Sequence, residues 1–198
     1  MPVFDILGPA HRPGQPIVLV AVEAEAQAFA DRVTTLIMGV GKVRAATATT
    51  WACLELRPGA ILNVGTAGGL RPDEVHPGVV YEVGSVVQHD VNGRAIAALI
   101  GTDPSPRLEL SSTTTILATG DRFIASPEDR DALALRAHLV DMEGYAVAAV
   151  ATRLGTPVRL AKTISDDAGH EAAGSWSAAL SGASTLLGQW LNEVLRQR

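Results

Sequence analysis

Residues 17–22, Ile-Val-Leu-Val-Ala-Val, form an unbroken apolar run rich in β-branched side chains. A strand with one face in water alternates apolar and polar residues, so a run without alternation predicts a strand covered on both faces. Further strands are expected over 34–38, ending at Gly39-Val40-Gly41, and over 60–64, followed by Gly65-Thr66-Ala67-Gly68-Gly69. Between them, 23–32 reads as a short helix, and 42–56 as an Ala-rich helix stopped by Pro58-Gly59. The middle of the chain reads differently. Residues 79–87 and 95–100 are expected as two strands of a hairpin turning near Asn92-Gly93. A strand over 113–118 follows, then a helix capped by Ser126 with proline in its first turn, and a short strand closed by Val140. A helix over 144–153, a strand over 156–164 and a long amphipathic helix over 175–196 complete the pattern. Strand-helix alternation with one antiparallel stretch predicts an α/β fold whose mixed, mostly parallel central sheet has helices on both faces. Residues 1–15, rich in Pro and Gly, are expected as a loosely tied arm, and 16–198 as a single domain.

Composition narrows the function classes. The net charge of −5, with no Lys/Arg cluster, argues against nucleic acid as a partner. No apolar run reaches membrane-spanning length, and the N-terminus lacks the basic and apolar regions of a signal peptide. A single cysteine, Cys53, fits a reducing cytoplasm. The five histidines show no HxxxH or HxH spacing and there is no CxxC, so neither a metal nor another cofactor is expected. A GxSxG elbow is also missing, which disfavours acyl chemistry.

The carboxylates carry the functional signal. Glu23 and Glu25 follow the first strand, Asp141 and Glu143 flank Met142 where a helix begins, and Asp166 and Asp167 end an apolar strand. Acids at strand ends lie at the mouth of an α/β sheet, where such folds keep their ligand sites. An acid among apolar neighbours also has a raised pKa, which suits proton transfer. Glu25 serves helix-dipole compensation equally well. The glycines of 65–69 fit either a tight turn requiring positive φ or a close backbone approach to a ligand. Carboxylates, backbone amides and the aromatic Phe123 together suit cleavage through a cationic transition state.

Six blocks resemble the nucleoside phosphorylase/nucleosidase superfamily, and within it the 5′-methylthioadenosine/S-adenosylhomocysteine nucleosidase branch. They are Ala21-Val22-Glu23-Ala24-Glu25, Gly39-Val40-Gly41-Lys42-Val43, Asn63-Val64-Gly65-Thr66-Ala67-Gly68-Gly69-Leu70, Gly120-Asp121-Arg122-Phe123-Ile124, Asp141-Met142-Glu143-Gly144 and Ile164-Ser165-Asp166, in the family's order. The resemblance implies a three-layer αβα fold and hydrolysis of the N-ribosidic bond of a purine nucleoside. It implies Asp166 as the general acid at N7 of the purine and Glu25 as the residue that orients or activates water. Glu143, with the backbone of Met142, would hold the ribose hydroxyls. Phe123 would stack on the base, the Ile124 backbone would read its edge, and Thr66, Ala67 and Gly68 would line the site near the water. A homodimer is also implied, with the Ala-rich face of 43–56 available for close packing.

Asn63 stands where phosphorylases of the superfamily place a phosphate-holding arginine, which favours water as the nucleophile. Lys162 replaces a family arginine near the water, keeping the charge without the planar fork. The segment after His89-Asp90 lacks the aromatic-rich loop that closes over the 5′ substituent, so that group stays open. Alternatives are a phosphate-dependent purine nucleoside phosphorylase, a futalosine hydrolase-type enzyme, or a non-catalytic nucleoside-binding protein.

Overall fold

The structure, a computed structural model, describes residues 4–196. Its first half contains β1 (Asp5–Leu7), β2 (Pro16–Val20), β3 (Thr35–Ile37), helix α1 (Lys42–Trp51) and β4 (Ala60–Gly69). The middle contains β5 (Val80–Glu82), β6 (Ser85–Gln88), α2 (Gly93–Ile100), β7 (Leu108–Glu109) and β8 (Ile116–Thr119). Then come α3 (Pro127–Ala134), β9 (Leu139–Asp141), α4 (Gly144–Arg153), β10 (Val158–Asp166) and α5 (Ala172–Arg196).

The buried runs become the centre of the sheet, as their composition requires. Along β2, Ile17 and Leu19 face a core shared with α1 and α4, while Val18 and Val20 face a second core filled by Leu187, Leu191 and Val194 of α5. These four side chains are fully buried, so the missing alternation reflects two covered faces. The result is the three-layer αβα arrangement expected from the sequence. The sheet is mixed: β2–β3, β2–β4, β4–β10, β6–β8 and β8–β9 run parallel, and the other pairings are antiparallel.

β4 organises this sheet. Its first residues pair with β2 and its last two with β9, while β10 follows its opposite edge from Ile61 to Gly68. Arg159 of β10 makes a bidentate pair with Glu82 of β5 at 2.9 and 2.8 Å, and its guanidinium lies 5.3 Å from the Trp190 ring of α5. One side chain thus ties the sheet edge to the helical layer.

Several expectations change. The residues 95–100 form helix, not the second strand of a hairpin. Asn92 caps α2, its side-chain oxygen accepting from the Ala95 amide at 3.1 Å, and Ile96, Leu99 and Ile100 follow helical spacing. Asn-Gly thus opens a helix, because the apolar period beyond it is nearer 3.6 than 2. The single strand expected over 79–87 is split at Gly84, with β5 on β10 and β6 on β8. A Cβ at Gly84 would lie 1.7 Å from the Thr113 carbonyl oxygen, so the split needs glycine. The helix expected over 23–32 is only a 3-10 turn over Glu23–Ala26. Helix α1 passes at Ala52 into one wider turn ending at Leu56, and α5 starts earlier than expected, at Ala172. Within the N-terminal stretch, β1 pairs antiparallel with β3. The Ala-rich face of α1 is spent internally, with Ala45 and Ala48 fully buried against α4.

Leu187 is the fully buried link between α5 and the sheet. Leu187→Ala is expected to cost about 2–5 kcal/mol through lost burial and the cavity left behind, measured as a fall in the urea-unfolding midpoint with little change in m-value.

Candidate active site

A cleft of about 230 Å³ opens where β4, β9 and β10 end. Four carboxylates line it: Glu25 from the turn after β2, Asp141 at the end of β9, Glu143 before α4, and Asp166 at the end of β10. Thr66, Ala67 and Gly68 supply the β4 wall, while Phe123, Ile124, Val140 and Met142 supply apolar surface. Nine of the ten residues expected from the sequence are therefore brought together.

Lys162 is the exception. It lies behind the cleft wall, its side chain 2% exposed, with Nζ 3.0 Å from Asp141 Oδ2. Burial alone would drag its pKa down, but Asp141, Glu143 and Glu25 outweigh that and hold it raised. It is the support of the acidic cluster rather than part of the cleft surface.

Glu25 is 2% exposed and has donors on both oxygens. Oε1 accepts from the Thr66 amide at 2.7 Å and the Thr66 hydroxyl at 2.9 Å; Oε2 accepts from the Ala21 amide at 3.1 Å and the Val22 amide at 3.4 Å. Such a set of donors fixes the carboxylate in place without a metal or a directly bonded cation. Gly65 permits this approach, since a Cβ there would come within 2.9 Å of Glu25 Oε1.

Asp166 is aimed by an irregularity in β10. The register with β4 shifts between Ile164 and Asp166, so Ser165 is left out and Asp166 pairs with Gly68. Burial raises the Asp166 pKa above the usual carboxylate range, although hydrogen bonds from Ser165 Oγ at 2.8 Å and the Ala168 amide at 2.9 Å favour the charged form. A Cβ at Gly68 would crowd Val140 at 3.0 Å and Asp166 at 3.1 Å. The glycines of 65–69 thus belong to a continuous strand, and none of the three has positive φ. Bare backbone is needed here because two carboxylates of the cleft press against it.

Glu143 is buried at the start of α4, its Oε1 accepting from the Gly41 amide at 2.9 Å. Burial first, then the neighbouring Asp141, push its pKa up to about 7 against the pull of Lys162. Asp141 holds the surrounding backbone: it accepts from the Thr119 hydroxyl at 2.6 Å and the Gly144 amide at 2.9 Å. Gly41, with φ of 97°, lets the chain turn into α1 so that its amide reaches Glu143.

Among the further wall residues, Ser165, Arg122 and Trp176 carry polar groups that sequence reasoning did not single out. Ser165 and Arg122 lie inside recognisable blocks, beside Asp166 and Phe123, and adjacency was the available signal. Trp176 sits in α5, where a tryptophan at the start of an amphipathic helix gives no sign that it faces a cleft. Asn63 is fully buried and donates to the Leu19 carbonyl at 3.1 Å, so it bridges β4 to β2 instead of facing the cleft. Arg122, the cation in the lining, is already paired with Asp129 at 2.8 Å.

Comparison with known proteins agrees with this geometry. The family model of the phosphorylase superfamily matches residues 27–196. A 5′-methylthioadenosine/S-adenosylhomocysteine nucleosidase of Marinomonas sp. (strain MWYL1) is 31% identical over 187 residues, covering 83% of this chain and 80% of the relative. The chain belongs to the phosphorylase superfamily, in its 5′-methylthioadenosine/S-adenosylhomocysteine nucleosidase branch. That branch is one of N-glycosyl hydrolases, and the chain is an enzyme of this kind. In fold it is similar to the Helicobacter pylori nucleosidase of that name solved with butyl-thio-DADMe-Immucillin-A, at TM-score 0.82 and 21% identity, covering 94% and 99% of the two chains. It is equally similar to the futalosine hydrolase of Helicobacter pylori, at TM-score 0.83 and 23% identity, covering 93% and 98%.

Because Glu143 has a higher pKa folded than unfolded, its ionisation works against the fold. The penalty is absent below about pH 4.5, grows as pH rises to about 7 and is constant above. Glu143→Gln removes it, so thermal melts across this range are expected to show the variant gaining on the wild type from pH 4.5 to 7. A Tm difference that stays flat across that window would mean that Glu143 is ionised freely in the folded state.

Proposed function

We propose that this nucleosidase hydrolyses the N-ribosidic bond of an adenine nucleoside of the methylthioadenosine or S-adenosylhomocysteine type, releasing the free base. The observation that carries the reading is the charge of the cleft: four carboxylates line it, and its one cation is already paired. As the N-ribosidic bond breaks, positive charge develops on the sugar and electrons flow to the purine. Carboxylates stabilise the first, and an acid that has kept its proton relieves the second.

Asp166 fits the acid, because burial keeps its proton to a higher pH than that of a free aspartate. Protonating N7 turns the purine into a neutral leaving group. Glu25, held by four donors, orients water towards the sugar carbon. Glu143 takes a ribose hydroxyl, with the Met142 backbone beside it. Phe123 covers the base, and the Ile124 backbone reads its edge. Lys162 acts through Asp141, which fixes the backbone around Glu143, and does not itself meet the substrate.

Water is favoured over phosphate as the nucleophile. An incoming dianion would meet Glu25, Glu143 and Asp141 with no free guanidinium to offset them, and Asn63 faces away from the cleft. A cytoplasmic homodimer completes the reading. Val40 at the cleft and Val43 on α1 are exposed to 46% and 76%, apolar surface that a second copy would cover; light scattering is expected to give twice the chain mass.

Purine release from methylthioadenosine, S-adenosylhomocysteine, adenosine, inosine and futalosine, followed by chromatography with and without phosphate, tests the activity. The expected result is adenine from one of the first two, at a rate unchanged by phosphate. Asp166→Asn is expected to lose on the order of 10²–10⁴-fold in kcat while remaining folded. Release that requires phosphate would make the enzyme a phosphorylase; hypoxanthine release from futalosine alone would make it a futalosine hydrolase.

A further inference from the structure

Trp176 reaches the cleft from the start of α5, outside every sequence block that carries the family resemblance. Its indole Nε1 donates to Thr66 Oγ1 at 3.0 Å, and the same hydroxyl donates to Glu25 Oε1 at 2.9 Å. An indole N–H can only donate, so it occupies a lone pair of the hydroxyl and forbids the rotamer that would point the Thr66 proton back at the ring. The remaining acceptor within reach is Glu25 Oε1. Among the hydrogen bonds received by Glu25 in the described residues, the Thr66 hydroxyl is the one side-chain donor; the others are backbone amides of the β2–β3 connection and of β4. The amides cannot rotate, but a hydroxyl can. With this proton in place both lone pairs of Oε1 are occupied, by the Thr66 amide and hydroxyl, and water is left the Oε2 side, where the Val22 amide at 3.4 Å is the weakest contact.

We propose that Trp176 is a positioning residue for the attacking water, acting through Thr66 on Glu25. The inference rests on the reading of Glu25 as the group that orients water, and adds α5 to the machinery. With the indole in place, the Thr66 proton is committed to Oε1 and the carboxylate offers water one defined direction. Without it, the hydroxyl is free to turn to solvent, Oε1 loses a donor, and water has competing orientations. Ground-state contacts to base and sugar are untouched, so the effect belongs to kcat.

Trp176→Phe keeps a flat ring in the cleft wall and removes only the N–H. The expected result is a kcat lower by about three- to tenfold, the size of one hydrogen bond, with KM unchanged. In a Thr66→Val background the same substitution is expected to add no further loss, since the hydroxyl it acts through is gone. An equal loss in both backgrounds, or a change confined to KM, would reduce Trp176 to part of the wall and overturn the proposal. A readout independent of turnover is the indole N–H resonance that Trp176→Phe removes from the NMR spectrum. That resonance is expected to move in Thr66→Val; if it does not, the hydrogen bond is absent and the proposal fails even in a fully active enzyme. A wild type that releases no base from any nucleoside overturns the hydrolase reading and the water-positioning role together, whereas an active wild type with an unaffected Trp176→Phe overturns only the latter.

Discussion

One buried ammonium makes the acidic cleft possible. Glu25, Asp141 and Glu143 are all buried, and Lys162 is the one cation buried with them among the described residues. Like charges at this spacing in a medium of low dielectric would be expelled or neutralised. Lys162 offsets the repulsion from behind, bonded to Asp141 and acting at longer range on Glu143 and Glu25. The compensation is partial, because Glu143 still holds its proton far above the usual carboxylate range. A cluster balanced this closely responds when a ligand brings in hydroxyls or positive charge, whereas a fully neutralised one would not. Lysine does this with a single point charge, committed to Asp141 and thereby to the backbone of α4.

The geometry in front of Lys162 depends on backbone left bare. β4 carries Gly65 and Gly68 at the two points where Glu25 and Asp166 approach it, and a methyl group at either would push an acid out of place. The same strand pairs with β2 at one end and β9 at the other, so it joins the segments that bring Glu25, Asp141 and Glu143. The Thr66 amide lies between the two glycines and donates to Glu25. Strand pairing therefore sets the separation of the acids, and the bulge before Asp166 sets its direction.

The layered fold was legible because it follows from burial. A run such as Ile17 to Val20 has no stable place except between two helical layers, and no tertiary detail changes that. The acids were legible because carboxylates at strand ends are costly unless used. What could not be read was decided by contacts between distant segments. The glycines of β4 allowed two local explanations, and the correct one depended on side chains some forty and one hundred residues away. Lys162 was readable as a charge near the site, but not as a residue behind it. Trp176 carried no local signal at all, since its partner Thr66 lies 110 residues earlier.

The choice between water and phosphate follows from the same electrostatics. A site that binds a dianionic nucleophile must supply cations that are free when the anion arrives, and must keep carboxylates at a distance. Here the one buried cation is spent on Asp141, and Arg122 on Asp129. Asn63 is turned into the sheet, where its amide nitrogen holds the Leu19 carbonyl. Glu25 stands in the cleft beside Thr66, a further carboxylate that an incoming anion would meet. Water needs no countercharge, and a fixed carboxylate both orients it and accepts the developing positive charge as its O–H bonds weaken. The arrangement that makes phosphate a poor nucleophile is thus the same one that makes water a good one.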